Sequence, residues 1–314
     1  MSEEHRSQAP SVLIIAGPTA GGKTELAIEL AREFDAEIVS ADSRQIYRGM
    51  PIGTAAPTQR ELDEVPHHLV GFLDPHERYS AARYADEAMA ALRAIWRRGK
   101  RAIVAGGTGF YIRALIGGVA LAPQYDERLR DRLAREALTH SPEFLYGWLQ
   151  QCDPARAAAL RTNDSYRVLR ALEIALAAPE ARLRDRAPQT LISERIPHLL
   201  VFLDLPRELV DERIARRTER MIESGLVEEA ERVGSVAIAA DAVGYSQACA
   251  YLRGWSTKVE LRALLERATR RYARRQRAWF RSEPSTLWIE PQAVGVAARE
   301  KLGWSAKRVR GASD

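Results

Sequence analysis

A chain of 314 residues, 46% apolar and 28% charged, has room for one large α/β domain with an insertion, and its composition excludes a disordered or fibrous protein. No apolar run approaches the roughly 20 residues that span a bilayer, and the first ten residues lack the apolar stretch of a secretory leader, which predicts a frayed N-terminus and a cytoplasmic protein without a membrane partner. The formal charge of +5 is unevenly spread: residues 262–281 hold eight arginines against the single acid Glu266, a local +7 that leaves −2 for all other residues and asks for an anionic partner.

In chain order, Val12 to Ala16 is a short apolar run that ends in glycine and precedes a helical pattern through Leu26, Ala27, Leu30 and Phe34. Glu37 to Ser40 predicts a second strand. Ser80 to Arg98 predicts an amphipathic helix, with Ala85, Met89, Leu92 and Trp96 at helical spacing, and Ala102 to Ala105 a third buried strand. Gly106-Gly107-Thr108-Gly109 then turns the chain into another helix. This alternation is that of a parallel sheet covered by helices.

From Asp126 to Ala178 only helical signals occur, with starts at Ser141-Pro142, Asp153-Pro154 and Asn163-Asp164. Cys152 and Cys249 have no CxxC spacing and predict reduced thiols, neither a disulfide nor a zinc site. The β pattern resumes at Leu199 to Leu203, followed by Asp204 and a long charged helix. The expected architecture is therefore an α/β P-loop core, residues 1–120 and 197–314, interrupted by an all-helical insertion at 121–196. The last helix, Thr257 to Arg281, sets Leu261, Leu264, Leu265, Ala268 and Tyr272 on one face and the arginines mostly on the others. Leu287 to Ile289 predicts a final strand, and the tail after Lys301 reads as loose.

Gly17-Pro18-Thr19-Ala20-Gly21-Gly22-Lys23-Thr24 fits G-x-x-x-x-G-K-[ST] in full, between a predicted strand and a predicted helix. Loop amides and the helix N-terminus make an anion cradle; Lys23 reaches phosphate oxygens, and the Thr24 hydroxyl is placed to ligate Mg²⁺. Arg213, Arg216, Arg217 and Arg220 lie along the helix after Asp204, where a lid would bring arginines to the phosphates, although Asp211, Glu212 and Glu219 offer most of them ordinary partners. Asp42 follows the second strand directly, at the edge of the sheet where ligands bind, as a general base or a metal ligand. Asn163 and Asp164 read as a helix cap.

Taken together, these segments resemble tRNA dimethylallyltransferase, also called tRNA isopentenyl-pyrophosphate transferase, over nearly the whole chain. The resemblance rests on the loop at 17–24, Asp42 to Met50, Pro66-His67-His68-Leu69, Gly106 to Tyr111, Asn163-Asp164 with Arg167 and Arg170 to Glu173. It continues through Arg217 four before Met221 and Val243-Gly244-Tyr245, to Ala268-Thr269-Arg270 and Arg274-Arg275-Gln276 with Trp279. Gly21 stands where relatives often have Ser, Ala41 where they have Val, and the Cys/His finger of some eukaryotic relatives is absent.

The resemblance implies transfer of a five-carbon allyl group from dimethylallyl diphosphate to N6 of the adenosine 3′-adjacent to the anticodon, with the P-loop holding the leaving group. By motif position the catalytic groups are Asp42, Thr19, Lys23 and Arg217. The tRNA anticodon stem-loop would be met by Asp42, Ser43, Arg44, Gln45, Thr108, Arg130, Asn163, Asp164, Arg167, Arg170, Gly244, Tyr245, Gln247, Arg270, Arg274, Arg275, Gln276 and Trp279, with the helical insertion as a clamp. A monomer is expected. The rival reading from loop and lid alone is a P-loop kinase of a nucleotide or small metabolite, which has no need of a +7 helix.

Overall fold

A strand of five consecutive apolar residues has no polar face to turn toward water, and Val12–Ala16 (β1) is buried at every position. The computed structural model describes residues 9–118, 127–177, 189–234 and 242–307. With Ala36–Ser40 (β2), His67–His68 (β3), Arg101–Gly106 (β4), His198–Leu203 (β5) and Leu287–Ile289 (β6), β1 forms a six-stranded sheet of order β3-β2-β4-β1-β5-β6. Every pairing is parallel. The expected strands are present, some a residue or two longer. The two-residue β3 carries no periodicity and was invisible in the sequence; it pairs with β2 at the edge through the Ile38–His67 register.

Leu13, Ile15, Ile103, Val201 and Leu203 from the sheet pack against Ala27, Leu30, Ala31 and Phe34 of the helix Lys23–Phe34. The tail expected to be loose is instead part of this core as far as Lys307. A further helix, Val294–Leu302, follows the arginine helix, and Trp304, 4% exposed, meets Phe34 edge to face at 5.4 Å while its indole N–H donates to Ser11 Oγ at 2.9 Å. A lone tryptophan beyond the last periodic segment gave no pattern to read.

Two compact units divide the chain: residues 1–118 with 189–314, and residues 119–188. The break after the helical stretch thus falls at 188, not 196, because Leu191 is fully buried and its amide donates to Leu115 O at 3.0 Å within the sheet unit. The second unit is helical throughout its described residues, with helices Glu127–Thr139, Pro142–Cys152, Pro154–Ala158 and Ser165–Leu176. Ser141, Asp153 and Asp164 cap three of them as the sequence predicts, each side chain accepting an amide of the first turn. Leu133, Leu145, Leu149, Val168 and Leu172 form its core. Among the described residues no helix is long and apolar enough to cross a membrane.

Candidate active site

Because β4 lies between β1 and β2, the three loops leaving their carboxyl ends are neighbours. They are the phosphate loop after β1, the Asp42 turn after β2 and the Gly106 to Gly109 turn after β4. A Cβ on Gly106 would lie 2.2 Å from the Ala41 carbonyl oxygen, so only glycine lets the β4 turn approach the residue before Asp42 this closely. The loops open on a cleft of about 1230 Å³, lined by Thr19 to Thr24, Asp42, Gln45, Ala105, Gly106 and Gln276, and by Arg213, Arg216, Arg217 and Arg220.

The phosphate loop folds as its motif requires. Gly21 donates its amide to Pro18 O at 3.0 Å, and Gly22, at φ 79°, takes the left-handed conformation as N-cap of the following helix. Lys23 Nζ donates to Gly17 O at 3.0 Å and Pro18 O at 2.7 Å. Burial pushes the Lys23 ammonium down to about 8, against the opposing pull of the Asp42 carboxylate and with a smaller push from Arg217. Gly17 and Pro18 thus serve the lysine through their carbonyls and do not line the cleft; the remaining six residues of the motif face it.

On the helix Arg207–Glu223 the four arginines divide. Arg216 pairs with Glu212 at 3.2 Å, as expected of a solvated face. Arg217 turns inward and donates to Thr54 O at 3.4 Å; burial lowers its pKa, countered by Asp42. Arg213 NH1 lies 3.2 Å from where a Cβ on Gly22 would sit, directly at the loop.

Asp42 Oδ1 accepts the amides of Arg44 at 2.9 Å and Gln45 at 3.4 Å, which fixes the turn, while Oδ2 takes no hydrogen bond from the described residues. Thr108 Oγ1 accepts the Ser43 amide at 2.9 Å. Gln45 Nε2 donates to Ala55 O at 3.0 Å. From the arginine helix, Lys258–Arg281, the Tyr272 phenol is pushed up to about 12, chiefly by burial and then by Asp42.

Other residues that the family resemblance assigned to tRNA sit elsewhere. Gly244 and Tyr245 are buried: the Tyr245 hydroxyl donates to Glu229 Oε1 at 2.6 Å and to Met50 O at 3.2 Å, and Gln247 Oε1 accepts the Gly244 amide at 2.8 Å. Glu229, fully buried, also accepts the amides of Ile52 at 3.0 Å and Gly53 at 2.7 Å, so this group of residues braces the Pro51–Thr54 turn at the cleft's edge. Trp279 is partly buried beneath the Arg113 guanidinium, 4.4 Å from its ring. Gln276 does line the cleft, but it is only 5% exposed.

The +7 of the arginine helix is partly neutralised by its surroundings. Arg262 pairs with Glu219 and Glu266, Arg270 with Glu266 and Asp211, and Arg277 with Asp204. Arg267, Arg271, Arg274 and Arg275 lie at the surface and form no ion pair among the described residues. In the helical unit, Arg130 and Arg170 converge on Glu173 at 3.7 and 2.5 Å, Arg167 pairs with Asp164 at 3.5 Å, and Asn163 is exposed.

The family model for IPP transferase matches residues 45–283, three quarters of the chain. The chain belongs to the IPP transferase family. It is 42% identical to tRNA dimethylallyltransferase 1 of Pelobacter propionicus, over 94% of this chain and 97% of that one. It is 44% identical to tRNA dimethylallyltransferase of Anaeromyxobacter sp. strain K, over 93% and 97%. Among solved structures, the tRNA isopentenylpyrophosphate transferase of Bacillus halodurans, 34% identical, superposes with a TM-score of 0.67 over 93% of this chain and 97% of that one. A eukaryotic dimethylallyltransferase acting on tRNA, 25% identical, gives a TM-score of 0.74 over 96% of this chain and 82% of that one.

Proposed function

We propose that this protein transfers the dimethylallyl group of dimethylallyl diphosphate to N6 of the adenosine 3′-adjacent to the anticodon of tRNA, releasing diphosphate. Beyond family membership, one observation carries the reading. An anion cradle and a carboxylate with a free oxygen face the same cleft, close enough that the Asp42 charge acts on both Lys23 and Arg217. A kinase of a small metabolite would use the same loop and lid, and family membership decides against it.

In the reaction the allylic C–O bond breaks and an N6–C bond forms. The electron pair of the broken bond leaves with diphosphate, whose developing charge is met by amides of the loop, Lys23, Arg213 and Arg217. Donors already aimed at that charge need no reorganisation, which makes them the largest catalytic contribution. The N6 proton passes to Asp42, which first orients the amino group as a hydrogen-bond acceptor. A base stacked in the anticodon loop cannot enter such a cleft, so the adenosine must leave its stack. Arg267, Arg271, Arg274 and Arg275 then serve the phosphates around it, with Arg130, Asn163, Arg167 and Arg170 as RNA contacts of the helical unit.

The donor present suits Mg²⁺: the Thr24 hydroxyl, a hard oxygen, faces the cleft and would hold the ion together with substrate oxygens and water. Bound there, it would neutralise diphosphate charge. A cytoplasmic monomer is part of the same proposal, since one chain supplies cradle, base and basic helix. The test is incubation of the protein with radiolabelled dimethylallyl diphosphate and total tRNA: label in the N6-modified adenosine is expected, and unlabelled tRNA with an active turnover of ATP would overturn the assignment.

A further inference from the structure

Gln276 stands on the arginine helix one residue after the exposed Arg275, yet it is buried, and both ends of its amide are used inside the protein. Its Oε1 accepts the Thr19 amide at 2.7 Å, and its Nε2 donates to Gly107 O at 3.0 Å. The two partners are backbone groups of fixed polarity, an N–H and a C=O, so they set the orientation of the amide. A Cβ on Gly107 would lie 2.0 Å from Nε2, which shows how closely the β4 turn has closed on this side chain.

The two backbone groups belong to the two halves of the reaction. Thr19 is in the phosphate loop. Gly107 precedes Thr108, whose hydroxyl oxygen accepts the Ser43 amide and so holds the turn that carries Asp42. We infer that Gln276 is a positioning residue, one amide that sets the spacing between the leaving-group cradle and the proton acceptor, and is not itself a contact to RNA. It also removes the Thr19 amide from the set that meets diphosphate, leaving that task to the amides after it.

A terminal amide supplies one acceptor and one donor from the same planar group without needing to gain a proton. A carboxylate keeps the acceptor toward Thr19 and sets a negative oxygen against Gly107 O. A protonated carboxyl restores both bonds. Methionine fills the volume and makes neither.

The inference rests on the proposed transfer reaction and is tested in single-turnover assays on full-length protein, with each rate normalised to the fraction of enzyme that binds tRNA. Gln276→Met is expected to slow transfer by about 10- to 100-fold, the scale of misplacing reacting groups by up to about an ångström, with dissociation constants for tRNA and diphosphate within about threefold of wild type. Gln276→Glu is expected to be slow at about pH 8 and to recover relative to wild type as pH falls and the introduced carboxyl gains its proton. A purely packing role would not produce that pH-dependent recovery. A wild-type normalised rate in Gln276→Met, a defect confined to tRNA affinity, or a Gln276→Glu deficit independent of pH would each overturn the inference. Failure of the wild-type protein to modify tRNA would instead overturn the reaction on which it rests.

Discussion

Replacing Lys23 with methionine separates what the site costs from what it does. The ammonium donates to two loop carbonyls in a setting that lowers it from 10.5 to about 8. That difference corresponds to roughly 3 kcal/mol at neutral pH, and the partial exposure of the residue reduces the expectation to about 1–2 kcal/mol. The folded-state value lies below the unfolded one, so between pH 8 and 10.5 the unfolded chain binds more protons and stability rises with pH. The charge therefore penalises the folded state fully below pH 8, and the penalty is gone above 10.5. Lys23→Met should be more stable than wild type by about 1–2 kcal/mol at neutral pH in urea melts, with the advantage vanishing toward pH 10.5. Its single-turnover rate should fall by roughly 10²- to 10³-fold, the effect of removing one donor to a developing anion. tRNA binding should be unchanged. A variant less stable than wild type at neutral pH would refute the buried-charge argument, and one with the wild-type rate would remove Lys23 from the mechanism.

Three further outcomes follow from the geometry. Arg271, Arg274 and Arg275 changed together to Ala should weaken tRNA binding and flatten its salt dependence by up to about 0.7 to 0.9 for each phosphate no longer neutralised, whereas Arg262→Ala, already paired with two glutamates, should leave the slope unchanged in filter-binding titrations. Glu229→Ala strands the amides of Ile52 and Gly53 and leaves the Tyr245 hydroxyl only Met50 O, and should lower stability by roughly 3 kcal/mol in denaturant melts; a decrease under about 1 kcal/mol would show that the bracing is incidental. Gly106→Ala places a methyl 2.2 Å from the Ala41 carbonyl oxygen and should displace the Asp42 turn, so that transfer by the folded variant falls while binding of diphosphate persists; unaltered transfer would contradict that close approach.

What the sequence made legible and what it hid divide along physical lines. The phosphate loop is a local object: its glycines, lysine and threonine act within eight residues, and strand and helix on either side are read from apolar periodicity. The helical unit was equally legible, because Ser141, Asp153 and Asp164 are caps whose partners lie three residues away. Glu229 was not. It is one of three glutamates in the helix Leu226–Val233, and only the tertiary fold sets it, and not Glu228 or Glu231, against the Pro51–Thr54 turn. Gln276 left a signal that could have been used. Continuing the apolar stripe of Leu261, Leu265, Ala268 and Tyr272 by four residues reaches Gln276, then Phe280, which is fully buried. A glutamine inside an apolar stripe asks for two interior partners, and those partners came from loops 169 and 257 residues away. The pairing of Arg262, Arg270 and Arg277 was hidden for the same reason, since most of their acids lie on other elements.

In the proposed reaction one cleft holds the diphosphate at the loop and takes the N6 proton at Asp42. Single-turnover transfer by Asp42→Asn against wild type, with tRNA and radiolabelled dimethylallyl diphosphate both saturating, tests it most directly. The variant keeps the shape and one acceptor oxygen and loses the proton acceptor. Labelled tRNA is expected from wild type and a rate about 10²- to 10⁴-fold lower from the variant, with dissociation constants for both substrates nearly unchanged. An Asp42→Asn rate equal to wild type would contradict it.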